Sequence, residues 1–467
     1  MVNMILSIMD TLVEIGNFIW GAPMMIGLTA IAVLYTIGTG GFQFTHFGYI
    51  LKNTIINQFA GKNKKDGEKG ISSFKAMCMA LCNTLGVGNI AGVAVSIALG
   101  GPGAVFWIWI AGILGMIIKY GEIILGVKYR EIDPKTGMYR GGIMWYVEKG
   151  LGKNWKWLAV IYAAVYVVSN INAPAVQINT IAASVTAYFD IPSIAIGVVA
   201  AGLMAIVLLG GVKRISAFAE KVVSVMSIAY LAAAVIVLVL YFDRIPATFG
   251  MIFKYAFTDA KAIAGGFGGA TVAITARYGF ARGFYSNGAG TGDVAFAHSH
   301  SDVEHPAEQG IWGVSEVVID TIVCSCTGFV ILLTGVWENG GSGAALTAEA
   351  ISVAVGSAAV GNIFIMLVVA FFAFTTALMC AYYGEICLRY FTENKVVFYI
   401  YRALICLWAA FATNAALVER IEILWSLGDF NVGCCIMLSI ISLFLLRKDV
   451  FDATKEYKAV IKKNRTK

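Results

Sequence analysis

Residues 83–89 read Asn-Thr-Leu-Gly-Val-Gly-Asn, in the middle of an apolar stretch running from Phe74 to Leu99. Glycine weakens a helix, and an amide in hydrocarbon must find a partner. The cluster predicts a membrane helix broken at mid-depth. An unwound turn frees backbone carbonyls, which are hard ligands for Na⁺. It also exposes N–H groups at the start of the next half-helix, where the positive dipole end suits a carboxylate. Asn89 adds an amide oxygen for an ion, and Gly88 lets a carboxylate approach the main chain closely. A second glycine-dense stretch, Ala-Gly-Gly-Phe-Gly-Gly-Ala at 264–270, is expected to be the matching break. Close helix packing through small residues is the other use of such glycines, and the sequence leaves it open.

Other conspicuous groups are weaker signals. Lys119 and Glu122 are three apart and share a helix face; near the end of a span they would pair or snorkel. Glu316 and Asp320, four apart, would repel if both ionised, and are weak candidates for ion access. The stretch Ala-His-Ser-His-Ser-Asp-Val-Glu-His, with His298, His300, Asp302, Glu304 and His305, matches no closed zinc motif and reads as a solvated, helix-capping loop. Ser-Asn-Gly-Ala-Gly-Thr-Gly at 286–292 lacks the lysine of a P-loop and reads as tight packing under the seventh span, or an inner gate. The nine cysteines form no Cys-x-x-Cys pair. No nucleophile and base stand in a convincing arrangement.

These groups must be held by membrane helices. The chain of 467 residues is 59% hydrophobic and 13% charged, against about 25% charged in soluble domains. The net charge of +6 is spread among membrane loops and implies no nucleic acid. The fold class is all-α and polytopic, with eleven spans near 17–38, 76–98, 104–127, 157–182, 193–210, 221–241, 262–281, 310–334, 358–383, 396–413 and 421–446. The first span is read as a retained helix, not a signal peptide. Lysine and arginine fall mostly in alternate loops and in the tail, which puts the N-terminus outside and the C-terminus in the cytoplasm. A single transmembrane domain follows: residues 1–75 with a first helix and basic loop, repeats at 76–241 and 262–446, and a basic tail at 447–467. One leading helix plus five and five is the parity an inverted repeat requires.

The segment at 83–89 resembles the broken first core helix of LeuT-type amino-acid transporters, Asn-Ala-Val-Gly-Leu-Gly-Asn. Arg-Tyr-Gly-Phe-Ala-Arg-Gly-Phe-Tyr-Ser-Asn-Gly-Ala-Gly-Thr-Gly at 277–292 and Glu-His-Pro-Ala-Glu-Gln-Gly at 304–310 resemble the alanine/glycine:cation symporter family. One departure is visible. The family commonly has Ser-Asn-Glu-Ala-Gly where this chain has Ser286-Asn287-Gly288-Ala289-Gly290, so any role of that acid is in doubt here.

The resemblance implies sodium-coupled import of alanine and glycine across the cell membrane by alternating access, with Na⁺, the amino acid and the lipid bilayer as partners and no obligate protein partner. It implies a sodium site of Cys82 and Leu85 carbonyls, the Phe372 carbonyl, and the Thr375 and Thr376 hydroxyls. From the residues alone, those threonines could equally bond back to their own helix. A second sodium beside Asn89 is less secure, because no threonine stands at the matching place before Phe267. Substrate would meet Thr84, Gly86 and Gly88 on one side and Gly265, Gly266 and Phe267 on the other. Gln177 would bond its amino or carboxyl group, or else another helix. The rival readings are an integral-membrane enzyme acting on a lipid-type substrate, for which only the histidine loop offers a metal set, and a channel, for which nothing provides a filter.

Overall fold

The computed structural model describes residues 14–16, 18–61, 66–259, 269–414 and 421–465. Among these the chain is almost wholly helical, with one small hairpin pairing Glu131–Ile132 with Tyr139–Arg140. The helices that build the site are α1 (Ala22–Gly38), α2 (Ser73–Thr84), α3 (Val93–Gly100), α4 (Ala104–Lys128), α5 (Lys156–Thr186), α6 (Ser193–Leu208), α7 (Gly211–Leu240), α8 (Val272–Asn287), α9 (Val294–His298), α10 (Pro306–Thr334), α11 (Ala358–Phe391), α12 (Lys395–Phe411) and α13 (Ile421–Leu445).

Helices α4, α7, α10, α11, the stretch Lys153–Thr186 and the stretch Gly428–Leu445 are long and apolar enough to cross a membrane. The pair Ser73–Thr84 and Gly88–Gly100, bent by 54°, makes a further crossing. The remaining expected spans coincide with shorter helices: α1, α6, α8 and α12. The seventh differs most from expectation. The expected bounds are 262–281, with Arg277 and Arg282 counted on the inner side. The helix instead runs Val272–Asn287 and carries both arginines within it. Their guanidinium groups lie over Tyr278 and Tyr285, 5.9 and 5.3 Å from the ring centroids, a contact that lets a cation sit on an apolar helix.

Local chemistry sets the helix starts. Ser72 accepts from the Lys75 N–H at α2, Ser357 from Val360 at α11 and Asn394 from Val396 at α12. Pro306 occupies the first turn of α10, with His305 as its cap. In the interior, α5 packs along α11, and α4 lies between α8 and α10. The α4–α8 approach depends on two glycines one turn apart. A Cβ at Gly283 would stand 2.5 Å from the Ala111 Cβ, and one at Gly279 would run into the Ala104 carbonyl. Without side chains there, the two backbones come close.

Candidate functional site

Helix α2 ends at Thr84, and the chain resumes as a wide π-type turn at Gly88–Gly92 that leads into α3. The break is held open from within. Asn89 Oδ1 accepts the Gly86 N–H at 3.0 Å, and Asn89 Nδ2 donates to Asp320 Oδ1 at 2.6 Å. Asn89 is therefore the brace of the turn, and its oxygen keeps a second lone pair beyond the one that accepts from Gly86. Ser286 on α8 donates to the same Asp320 oxygen at 2.9 Å. Asp320 thus ties the first break to the second half of the chain.

Thr376 on α11 reaches across to this break. Its Oγ1 lies 3.2 Å from the Cys82 carbonyl oxygen and 3.0 Å from that of Phe372. Thr375 Oγ1 donates to the Phe372 carbonyl at 3.0 Å. Both threonines do bond back to their own helix, as the sequence allowed, and Thr376 also meets the broken one. Gly86 closes on the same place: a Cβ there would stand 3.0 Å from Thr376 Oγ1. Leu85 caps the end of α2 in this turn.

Beside these oxygens is a cavity of about 140 Å³. Its wall includes Thr84, Gly86 and Gly88 from the first break, and Gln177 from α5. Gln177 Oε1 is buried and meets no hydrogen-bond donor among the described residues. Gly265, Gly266 and Phe267, expected to face it, lie outside the described residues. Among the described residues the wall also includes Tyr285, Ser286, Gly288, Thr291 and Asp293. Here α8 stops at Asn287 and α9 starts at Val294. Between them Gly288, Gly290 and Gly292 take φ of 63°, 92° and 83°, a left-handed path that side chains disfavour. The stretch read from sequence as packing glycines is thus an interrupted helix facing the cavity. A wider cavity of about 470 Å³ shares Val87 and Gly88 in its lining and is also lined by Arg282.

The sequence profile described as the sodium:alanine symporter family matches residues 5–467. This chain belongs to that family. Family membership makes it a sodium-coupled amino-acid symporter, a transporter and not an enzyme. The sodium/alanine symporter AgcS of Methanococcus maripaludis is 33% identical over 465 residues, covering 97% of this chain and 98% of that protein. The probable sodium/glutamine symporter GlnT of Bacillus subtilis is 31% identical over 455 residues, covering 97% and 91%. The crystal structure of MhsT in complex with L-phenylalanine superposes with a TM-score of 0.56 at 14% identity, covering 83% of this chain and 93% of that one. That likeness shows the fold, which is the LeuT type.

The symporter buries more charge around its broken helices than local spacing implied. Lys119 does not pair with Glu122. Its ammonium is bonded to Glu316 on α10, and both side chains are buried. Glu316 also accepts from the Thr84 hydroxyl at 3.2 Å and lies 3.3 Å from His298 Nε2. Glu122 instead accepts the Gly292 N–H at 2.8 Å and the Ser439 hydroxyl at 3.3 Å, so it supports the second interruption. Glu316 and Asp320 do not face each other as rivals, since each has its own donors.

The histidine loop is largely buried, contrary to the solvated reading. Gln309 Nε2 is 2.6 Å from His298 Nδ1. His300 Nδ1 donates to the Tyr139 carbonyl at 2.5 Å, and its Nε2 accepts from Tyr382 at 3.0 Å. Only His305 caps a helix, accepting the Ala307 N–H at 3.1 Å. No group of three or more His, Cys, Asp or Glu able to hold a metal ion occurs among the described residues. Sequence reasoning missed Tyr166, Tyr285, Thr291 and Asp293 as cavity residues. The signal available was a run of polar residues, Ser286, Asn287, Thr291 and Asp293, interleaved with glycines.

Proposed function

We propose that the symporter carries sodium together with a small neutral amino acid, alanine and also glycine, into the cell by alternating access of its two five-helix halves. In this reading the Cys82, Leu85 and Phe372 carbonyls and the Thr375 and Thr376 hydroxyls hold the ion. The substrate carboxylate lies against the Thr84–Gly88 turn. Sodium driving force comes from its gradient and from the membrane potential, about 2.3 kcal/mol per charge per 100 mV.

The observation that carries the reading is the junction at Thr376. One hydroxyl is within 3.2 Å of a carbonyl from each of two helices, at the edge of the cavity that Thr376 also lines. Ion and substrate would share one interrupted turn, so each stabilises the arrangement the other needs. Cavity size supports a small cargo. A cavity of ~150 Å³ holds benzene, with its six heavy atoms. The 140 Å³ here suits alanine, also of six heavy atoms, better than a longer side chain such as that of glutamine.

Uptake of labelled alanine, glycine and glutamine into proteoliposomes, with and without an inward sodium gradient, tests this. Sodium-driven accumulation of alanine and glycine, with glutamine taken up poorly, is expected. Preferred glutamine uptake would overturn the assignment of substrate, and accumulation indifferent to sodium would overturn the coupling.

A further inference from the structure

Asp293 is a buried carboxylate that lines the central cavity and forms no direct ion pair among the described residues. Its Oδ2 accepts from Asn83 Nδ2 and from the Tyr166 hydroxyl, each at 3.0 Å, and its Oδ1 accepts from Thr291 Oγ1. No lysine, arginine or histidine forms an ion pair with it among the described residues. A charge in such a place calls for an opposite charge as well as neutral hydrogen bonds. Gln177 Oε1, on another wall of the same cavity, is a second buried acceptor that no donor reaches among the described residues. A ligand that satisfies both must carry positive charge. An ammonium group brings three N–H donors with it; a sodium ion would bind the same oxygens directly, and the test below separates the two.

The position of Asp293 also answers the departure at residue 288. Where the family pattern has a glutamate, this chain has Gly288. A Cβ built on Gly288 would stand 3.4 Å from Thr84 Cγ2, an ordinary contact, and 4.0 Å from Asp293 Oδ1. The space for a side chain at 288 therefore begins next to the Asp293 carboxylate. Acids at both positions would crowd two like charges into one buried spot, which ionisable groups resist. One acid there is enough.

We propose that Asp293 receives the ammonium group of the transported amino acid, in place of the acid that this chain lacks at position 288, with Gln177 as the neighbouring acceptor. This rests on the reading of the central cavity as the amino-acid site. It places the two ends of the substrate on different elements: the carboxylate on the Thr84–Gly88 turn, and the ammonium on the Gly288–Asp293 interruption.

The test uses the full-length purified protein and labelled alanine, with glycine and glutamine as parallel probes and propionate, which lacks the amine, as competitor. Asp293→Asn keeps the shape and removes the charge. It is expected to weaken alanine binding about 10- to 100-fold, the range of a hydrogen bond to a charged group. It should shrink the preference for alanine over propionate by the same factor. Sodium-dependent thermal stabilisation, measured without amino acid, should stay at the wild-type value and also certifies folding. Adding Gly288→Glu to Asp293→Asn should recover alanine binding. Unchanged alanine affinity in Asp293→Asn would overturn the proposal. A shift confined to sodium would do so too, since the carboxylate would then serve the ion. A double variant that keeps the wild-type sodium-dependent stabilisation, and so tolerates a side chain at the φ of 63°, yet binds alanine no better than the single would refute the replacement of one acid by the other. Wild-type protein that responds to sodium but binds none of the three amino acids would overturn the cavity reading, and this inference with it.

Discussion

Thr376→Ala separates the ion site from ordinary helix packing. In the wild type Oγ1 of Thr376 lies 3.2 Å from the Cys82 oxygen and 3.0 Å from the Phe372 oxygen. Removing it takes one of the five proposed oxygens from the ion. Loss of a polar partner from a charged group costs about 1.5–3 kcal/mol, so half-saturation by sodium should rise about 10- to 100-fold. The neutral hydrogen bonds lost at the same time, about 1 kcal/mol each, lower fold stability without changing sodium affinity. Ligand-induced stabilisation tells the two apart. Sodium at ten times its Kd stabilises the folded state by about 1.4 kcal/mol, and a 30-fold weaker site at that concentration gives only about 0.2 kcal/mol. Melting of the purified protein across a sodium titration measures this with no substrate present, and the sodium dependence of alanine uptake gives a second reading. Thr376→Ser keeps the oxygen and should stay near wild type. Thr376→Ala and Thr376→Val with an unchanged sodium titration, in folded protein, would refute the placement of the ion.

Three further perturbations probe the scaffold. Lys119→Met leaves Glu316 buried without its cation and should destabilise the protein by about 3–5 kcal/mol; adding Glu316→Gln should recover part of the lost melting temperature. Gly283→Leu forces a side chain against Ala111, where even a Cβ would be 2.5 Å away, and should cost about 1–3 kcal/mol or more, with Gly283→Ala milder, both read by thermal melts. His300 lies in the loop beyond α9. Burial, helped by the charges of Arg389 and Arg130, pushes its pKa down to about 4 against the pull of the Tyr139 carbonyl. The folded state therefore holds the neutral ring, and its contribution is fully present above the unfolded value of about 6.5. It declines as the pH falls towards about 4, by on the order of 3 kcal/mol in all. His300→Gln should flatten the melting profile between pH 6.5 and 5, and an unaltered slope would show that other groups set it.

The sequence made the first interruption legible, and the reason it did so explains the second. Glycine alone is ambiguous, because it serves a backbone crossing, a left-handed turn and an unwound helix equally well. At Gly283 it allows two helices to touch; at Gly288 it permits a φ of 63°. What marks an interruption is glycine together with oxygen-bearing neighbours that can take over the freed backbone groups, as Asn89 does for Gly86. Residues 83–89 meet that condition with Asn83, Thr84 and Asn89. Residues 286–293 meet it with Ser286, Asn287, Thr291 and Asp293. The stretch 264–270, which lies mostly outside the described residues, has glycine and phenylalanine but no polar side chain. Glycine density alone therefore leaves 264–270 undecided, whereas glycine with polar density marks 83–89 and 286–293. The buried charges were beyond such a rule. Lys119 bonds to Glu316 across 197 positions of chain, whereas Glu122, three residues along, points to Gly292. Helical spacing fixes which residues share a face but not which helix that face meets. The carboxylates could be found in the sequence, but their partners depend on how α4, α8 and α10 pack. That packing is what brings Glu316 to Thr84 and Glu122 to Gly292. The same three helices thus connect the two interruptions to buried charge, so a movement of either break must also move a carboxylate.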